Sequence, residues 1–387
     1  MTLWSAVTCH RFARTRPVAN TTVWKDLRAG RQGALGQSGD TSPHSKSMVN
    51  TILRRHLSRL LSRENLTRGE ATELLAAMLQ DETTDAQIAA ALVALHAKGE
   101  TVEELAGMAD ALRERAVKVT SCHTAFIDTA GTGSSRAKTF NVSTAAAFVI
   151  AGAGLAVAKH GNRAASSKSG SADVLTALGV NVSALTKVSE DCLNEIGICF
   201  MFAPLYHGAT ARVAGIRREL GVHTTFNLLG PLSNPAGAPR QIIGVWRKDL
   251  VELLANVAAA LGTEHAWVVH GEDGLDEITL AGKTYVAEAR EGAVKTFEIR
   301  PQDFGLPESS LDHLRGGDAE ANAKIIREVL SLKRCDEAGA LIVINAAAAL
   351  FVGGKSETLS DAARLAEESI NSGAAGMKLE QLIRATN

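Results

Sequence analysis

Between Asp128 and Asp173 the chain has no acidic residue, although over its full length 41 Lys/Arg stand against 42 Asp/Glu. Other things are scarce as well. There are five cysteines, an odd number with no CxxC spacing, which speaks against a disulfide framework or a structural zinc site and fits a reducing compartment. Aromatic residues make up 4%, too few for a base-stacking surface. No apolar run reaches membrane-spanning length; Ala145 to Ile150 is typical, short and followed by glycine. A net charge of −1 removes any bulk attraction to nucleic acid or membrane. What remains is ordinary for a globular protein: 45% hydrophobic and 21% charged over 387 residues, enough for two domains or lobes.

The acid-free stretch carries Arg136, Lys138, Lys159, Arg163 and Lys168, many Ser/Thr hydroxyls, and glycine turns at Gly131-Thr132-Gly133 and Gly161. A surface without carboxylates and rich in N–H and O–H donors suits a polyanion, and phosphates above all.

Residues 1–48 hold seven Lys/Arg and two acids, with a Gly/Ser/Thr-rich run from Gln32 to Ser47. They read as a disordered basic extension, with Met48 at the start of the folded part. Residues 49–118 read as a helical N-terminal domain. Thr67-Arg-Gly-Glu70, Thr84-Asp-Ala-Gln87 and Thr101-Val-Glu-Glu104 each fit a capping box, and apolar residues recur at helical spacing behind them. From 119 onward short strands alternate with helices. Strands are expected at Phe126–Asp128, Leu155–Lys159, Ile198–Phe202 and Ala266–His270, and helices at Ser143–Ile150 and Ser171–Leu178. Lys283–Ile299 reads as a hairpin turning at Glu291-Gly292. The chain is expected to be helical again from Cys335. The fold class is therefore α/β with a smaller all-α domain, its central sheet mostly parallel and flanked by helices. Helical segments near 205–225 are expected to pack on the N-terminal domain.

Four segments carry chemistry. The Asp128–Ser135 turn opens a helix through Thr139–Thr144, offering free N–H groups to an anion. It fits neither GxGxxG nor GxxxxGK[ST], so nicotinamide and ordinary ATP binding are unsupported. The run Lys159-His-Gly-Asn-Arg163, then Ser166–Ser171, lies at a strand's C-terminal end, where open α/β sheets bind ligands. Adjacent Asp276 and Glu277 on a turn are suited to Mg²⁺ beside phosphate. Arg212, Arg217 and Arg218 precede Phe226–Pro231; one arginine there suits a carboxylate, the others solvent or an acid such as Glu219. Singly, each segment is weak, and an isolated acidic turn is more often plain surface.

Together they resemble the anthranilate phosphoribosyltransferases over roughly residues 49–387. The residues that carry the resemblance are GTGSS at 131–135, TFNVSTAAAF at 139–148, AKHGNR at 158–163, SSKSGSADVLTALGV at 166–180, FNLLGPLSNP at 226–235, DGLDEI at 273–278 and NAAAAL at 345–350. The resemblance implies a cytoplasmic homodimer, joined through the helical domain. It implies transfer of a phosphoribosyl group from phosphoribosyl pyrophosphate to the amine of anthranilate in tryptophan biosynthesis. It implies that Gly131, Ser134, Ser135, Thr139, Asn141, Val142, Ser143 and Thr144 hold phosphoribosyl pyrophosphate. Lys159, His160, Gly161, Asn162, Arg163, Ala164, Ala165, Ser166, Ser167 and Ser171 would complete that site. Gly131, Asn162 and Arg217 would contact anthranilate, and Ser143, Asp276 and Glu277 would hold Mg²⁺, with two ions expected. Small-molecule substrates are then the expected ligands, with no role for nucleic acid or a membrane.

The chemistry agrees with this set. Cleavage at ribose C1 builds charge on pyrophosphate, which metal and basic donors stabilise without proton transfer. An aryl amine is already a neutral nucleophile, so no acid or base is nominated, and His160 reads as a structural or orienting residue. Alignment should supply much of the rate. Ser134-Ser135 stands where the family usually has Gly-Asp, and His207-Gly-Ala209 where it often has His-Pro-Ala. A pyrimidine nucleoside phosphorylase of the same fold would need a KxSxGG-type loop, which is not found. A non-catalytic nucleic-acid-binding relative would need a basic groove, whereas residues 49–387 carry 34 bases against 40 acids.

Overall fold

The computed structural model describes residues 51–133, 139–164, 168–311 and 314–387. The expected extension 1–48 lies outside these residues, as do Ser134, Ser135, Ala165, Ser166 and Ser167.

Four helices open the described chain: α1 (Thr51–Leu61), α2 (Arg68–Met78), α3 (Asp85–Lys98) and α4 (Val102–Arg115). The last three begin at the three capping boxes, each with both reciprocal bonds formed. The third box also serves the tertiary fold. Glu104 is buried, accepts from Leu66 N at 2.9 Å and pairs with Lys98 at 2.8 Å. One carboxylate therefore ends the α1–α2 connection, caps α4 and neutralises the end of α3.

Seven strands form one sheet: β1 (Phe126–Gly131), β2 (Ala156–Gly161), β3 (Ile198–Phe202), β4 (Arg240–Gly244), β5 (His265–Gly271), β6 (Thr284–Arg290) and β7 (Ala293–Ile299). The order is β3-β2-β1-β4-β5-β6-β7. The first five run parallel, and β6 and β7 add antiparallel at one edge. The hairpin turns at Glu291 and Gly292, whose φ of 53° and 79° give the left-handed pair that a two-residue turn demands.

The pleat sends alternate residues to opposite faces. Ile242, Trp267 and Val269 join the core built with α5 (Val142–Gly152) and the helix Glu337–Val352. Ile243, Ala266 and Val268 face the other way, into a core shared with α1–α4 and the helix Asp249–Ala260. The helical domain thus completes one face of the sheet. The helix Ala211–Leu220 packs there too: Val213 and Ile216 enter that core, and Arg212 bonds Asp85 at 2.8 Å. The expected partner for a neighbouring arginine, Glu219, is replaced by this long-range acid.

Several elements go beyond the sequence reading. Strand β4 and the helices Thr186–Ile196, Asp249–Ala260 and Ala319–Leu330 were not expected. Strands β1 and β2 run on to Gly131 and Gly161, past the expected ends at Asp128 and Lys159. Their polar ends are paired in the ladder, so hydrophobicity understated their length.

Candidate active site

Strands β1, β2, β4 and β5 all end in glycine, at Gly131, Gly161, Gly244 and Gly271. From β1 the chain builds outward to β2 and β3, then returns to place β4 on the other side of β1. The C-terminal ends of β1 and β4 therefore flank the topological switch point, where open parallel sheets bind ligands. The first two donor-rich segments follow adjacent strands, as the sequence suggests, and the acidic turn follows β5.

That turn folds back over the switch point. Gly244 pairs with Gly131 in register, and Thr132 donates to Gly244 O through both its N–H (2.8 Å) and its hydroxyl (3.0 Å). A Cβ on Gly244 would lie 1.7 Å from the carbonyl oxygen of Asp276, and one on Gly131 would lie 3.2 Å from Asp276 Oδ2. Only glycine allows the acidic turn to rest there. The next residue reaches across to α5: Ser143 N donates to Glu277 Oε1 at 3.3 Å.

Lys159 is the cation beneath this junction. It is buried, with 4% of its surface exposed, and its ammonium donates to Thr129 O and lies 3.4 Å from Ser143 Oγ. Burial pulls its pKa down, against the attraction of Asp128 and then Glu277. The sequence places this charge in a basic loop; the structure sets it inside the sheet, serving two carboxylates. Burial, followed by repulsion from Asp276, raises the Glu277 carboxyl to about 8, although part of the residue reaches solvent.

These groups fit Mg²⁺. The two neighbouring carboxylates supply hard oxygens, and Glu277, held up by burial and a like charge, gains its natural counterion when a divalent cation binds. Among the described residues no cluster of three or more His, Cys, Asp or Glu could hold a metal alone. A Mg²⁺ held here would need further oxygens, such as water, to complete its shell.

Asp128 is fully buried in β1, accepting from His160 N at 3.2 Å and from Asn234 Nδ2 at 2.7 Å. Desolvation raises it to about 6, opposed by Lys159 and these hydrogen bonds. Asn234 also donates to Ala158 O at 2.9 Å, so it clips β1 to β2. His160 directs Nδ1 to Gly230 O at 3.3 Å, and its ring lies 5.1 Å from that of His207. Desolvation lowers His160 to about 3, so it is a neutral, orienting ring rather than an acid.

The second loop is tied to the start of α6 (Ser171–Ala177). Asp173, which ends the acid-free stretch, pairs with Arg163 at 2.8 Å and accepts from Ala164 N at 2.9 Å and Gly170 N at 3.0 Å. Part of the Arg163 charge is thereby committed inside the loop. Asn162 accepts from Ser171 Oγ through its carbonyl at 3.3 Å and from Arg163 N through its side chain at 2.7 Å. A Cβ on Gly161 would meet Ser171 Oγ at 2.2 Å, and one on Gly170 would meet Ala164 N at 2.4 Å. Gly161, Asn162, Ala164 and Ser171 thus form one close-packed loop. Thr139 and Asn141 lead into α5, which begins with Val142, Ser143 and Thr144; Val142 and Thr144 point into the core.

Arg217 differs from its neighbours. Nη2 donates to Asn227 Oδ1 at 3.2 Å, its guanidinium lies 5.5 Å from the Phe226 ring, and its buried Nε has no partner among the described residues. It has donor capacity left for a planar anion. Arg212 is spent on Asp85, and Arg218 is exposed. The 226–234 segment joins Arg217 to the strands, because Gly230 and Asn234 from the same run contact His160 and Asp128.

A helical bundle on an α/β sheet, with two donor-rich loops and an acidic turn at the switch point, fits a glycosyl transferase. Two family models match accordingly: the glycosyl transferase helical bundle domain over residues 54–116 and the glycosyl transferase a/b domain over 123–376. The chain belongs to the anthranilate phosphoribosyltransferase family. Relatives of that description include one from Anaeromyxobacter dehalogenans strain 2CP-C, 52% identical over 335 residues, covering 87% of this chain and 99% of the relative. Another, from Moorella thermoacetica, is 49% identical over 332 residues, covering 86% and 98%. The solved anthranilate phosphoribosyltransferase of Thermus thermophilus superposes with a TM-score of 0.80 at 38% identity, covering 85% of this chain and 98% of that one. The Saccharomyces cerevisiae enzyme, solved in complex with PRPP and Mg, gives 0.79 at 30% identity, covering 86% and 97%.

The sequence reading missed Asp128 as a buried charge, Asn234, Asp173 as the loop clasp, and Gly244. Asp128 and Asp173 were visible as the borders of the acid-free stretch. Gly244 could have been suspected from the short Ile242-Ile243-Gly244-Val245 run, but its role depends on which strands it lies between.

Proposed function

We propose that this chain transfers the phosphoribosyl group of phosphoribosyl pyrophosphate to the amine of anthranilate, releasing pyrophosphate and forming N-(5-phosphoribosyl)-anthranilate for tryptophan biosynthesis. The observation that carries the reading is the Ser143–Glu277 contact, which brings the acidic turn to the helix start of the first phosphate loop. Gly131, Thr139, Asn141 to Thr144, Lys159 to Ala164 and Ser171 are assigned to phosphoribosyl pyrophosphate. Ser134, Ser135 and Ala165 to Ser167 join them on the sequence resemblance alone. Arg217 is assigned to the anthranilate carboxylate, with Asn162 and Gly131 beside it.

Within this reading α5 and the two loops offer N–H and O–H groups to the diphosphate and hold its ribose carbon in line with the incoming amine. Lys159 opposes the rise in the Glu277 pKa and so eases its ionisation, which a bound Mg²⁺ would complete. Ser143, Asp276 and Glu277 hold Mg²⁺, which when bound neutralises charge developing on pyrophosphate. We assign two ions on the family resemblance alone. His160 and Asp128 orient strands and move no proton.

We assign residues 49–118 to the helical domain and 119–387 to the α/β domain. The assembly is read as a homodimer through the helical domain, where Ile52, Leu61 and Val93 are exposed at 40%, 70% and 45%. A mass near twice 40.7 kDa by light scattering is expected. The described cysteines Cys122, Cys192, Cys199 and Cys335 are free thiols, which supports a cytoplasmic setting.

The deciding experiment follows anthranilate fluorescence. Its decay should require protein, phosphoribosyl pyrophosphate and Mg²⁺ together. No decay, with phosphorolysis of thymidine or uridine instead, would move the chain to the phosphorylase reading. Salt-dependent DNA binding without turnover would move it to the non-catalytic one.

A further inference from the structure

Asn322 lies in the first turn of the helix Ala319–Leu330, far in sequence from every segment that carries the phosphate loops, and is 2% exposed. Its side chain bridges two features. Oδ1 accepts from Gly317 N at 2.8 Å, and Nδ2 donates to Asn141 Oδ1 at 3.0 Å. The Gly316-Gly317 turn is itself pressed on the first phosphate loop: a Cβ on Gly316 would lie 2.2 Å from Thr139 O and 3.1 Å from Phe140 N.

These contacts fix an orientation. A backbone N–H can only donate, so Gly317 requires the oxygen of Asn322 to face it, and the Asn322 amide nitrogen must then face Asn141. That nitrogen also can only donate, so Asn141 must present its oxygen. Ser169 Oγ donates to the same oxygen at 3.2 Å. The Asn141 amide nitrogen is therefore turned the other way. One of its N–H groups reaches Ser169 O at 3.3 Å, and the second has no acceptor among the described residues. Asn141 stands at the N-cap of α5 but makes no side-chain cap bond, so capping does not explain its amide.

We propose that Asn322 is a positioning residue for phosphoribosyl pyrophosphate: it sets the Asn141 amide so that a donor, and not the carbonyl oxygen, faces the diphosphate. The proposal rests on the assignment of Asn141 to that substrate. A flipped Asn141 would place an acceptor against a polyanion and turn a hydrogen bond into repulsion. The chain Gly317–Asn322–Asn141–Ser169 thus carries a donor direction from a distant turn into the site and locks both phosphate loops to it.

The test is a double-mutant cycle read as KM against kcat. Asn322→Asp keeps the acceptor for Gly317 but puts a second acceptor against Asn141, forcing the flip. KM for phosphoribosyl pyrophosphate should rise about tenfold or more, with KM for anthranilate and kcat at saturation within about twofold. In an Asn141→Ala background the same change should have no further effect. An equal rise in KM in both backgrounds would overturn the proposal, as would an unchanged KM in the otherwise native chain. If Asn141→Ala alone leaves that KM unchanged, the assignment of Asn141 falls, and the proposal with it. Should Asn322→Asp fail to fold, Asn322→Ala, which removes the donor to Asn141 and frees its amide to rotate, carries the same cycle: KM for phosphoribosyl pyrophosphate should rise in the native background and not in Asn141→Ala, and the opposite pattern overturns the proposal.

Discussion

Gly244 and Asp276 touch backbone to backbone: a Cβ on the glycine would lie 1.7 Å from the aspartate's carbonyl oxygen. Gly244→Ala must therefore displace the acidic turn. Overpacking of this kind costs about 1–3 kcal/mol of stability. The larger effect should fall on function, as a raised Mg²⁺ requirement and a lower kcat. Gly69→Ala is the control, because nothing lies within 4 Å of its Cβ and it sits inside α2. That change should raise stability by up to about 1 kcal/mol and leave turnover alone. Thermal melting and a Mg²⁺ titration of activity check both.

Glu277→Gln keeps the shape of the side chain and its contact with Ser143 but removes the charge. Mg²⁺-dependent turnover should fall by about a hundredfold or more, the scale of one lost electrostatic contact in a catalytic site. Removing the metal with a chelator should stop the native enzyme. Calorimetry should find Mg²⁺ binding weak alone and much tighter with phosphoribosyl pyrophosphate, since among the described residues no protein cluster closes the shell. Intact Mg²⁺-dependent turnover in Glu277→Ala would end the assignment of this turn.

Arg217→Ala should raise KM for anthranilate by about 10- to 100-fold, the value of a hydrogen bond to a charged group. KM for phosphoribosyl pyrophosphate should change by less than about twofold. Arg217→Lys should recover little, because a lysine cannot grip a carboxylate with two parallel donors. Steady-state kinetics against each substrate in turn separates the two. Equal losses for both substrates would show that Arg217 supports the whole site instead.

The buried groups of the site pull the pH dependence of stability in opposite directions. His160 is lowered from 6.5 to about 3, so its contribution is complete above 6.5 and is lost as pH falls toward 3. Asp128 is raised from 3.8 to about 6, so its contribution runs the other way and is lost as pH rises through 6. Glu277, raised from 4.5 to about 8, acts in the same sense as Asp128, and His207, lowered by burial, acts in the same sense as His160, so the acid limb has to be read from the histidine alone. His160→Gln removes only the histidine's contribution, so the melting temperature of the variant relative to that of the native chain should rise as pH falls from about 6.5 to 4. A difference that stays constant over that range would end the reading of His160 as a buried neutral ring.

The parts legible in the sequence are those with short-range causes. The capping boxes at Thr67, Thr84 and Thr101 place donor and acceptor three residues apart, so the sequence alone contains both partners. The Glu291-Gly292 turn needs left-handed backbone at two adjacent positions, and this too is local. The helix opening at Val142 after a glycine turn was visible for the same reason. Strand β4 was not. It has five residues, and its flanking Pro/Gly-rich segment looks like loop until the sheet supplies neighbours on both sides.

Sequence by itself determined the chemical character of the site. It showed a stretch without carboxylates, two donor-rich loops after successive strands, and one pair of acids to hold a cation. Tertiary structure decided where charge resides within it. Lys159 is buried between Asp128 and Glu277, Arg163 is clasped by Asp173, and Asn322 turns the amide of Asn141. The acid-free stretch is therefore not an acid-free place, because sheet order brings carboxylates from residues 128, 173 and 277 against its donors. The reason is physical. Donor type and spacing belong to the covalent chain, but burial, ion pairing and the direction of a hydrogen bond depend on neighbours that only packing provides.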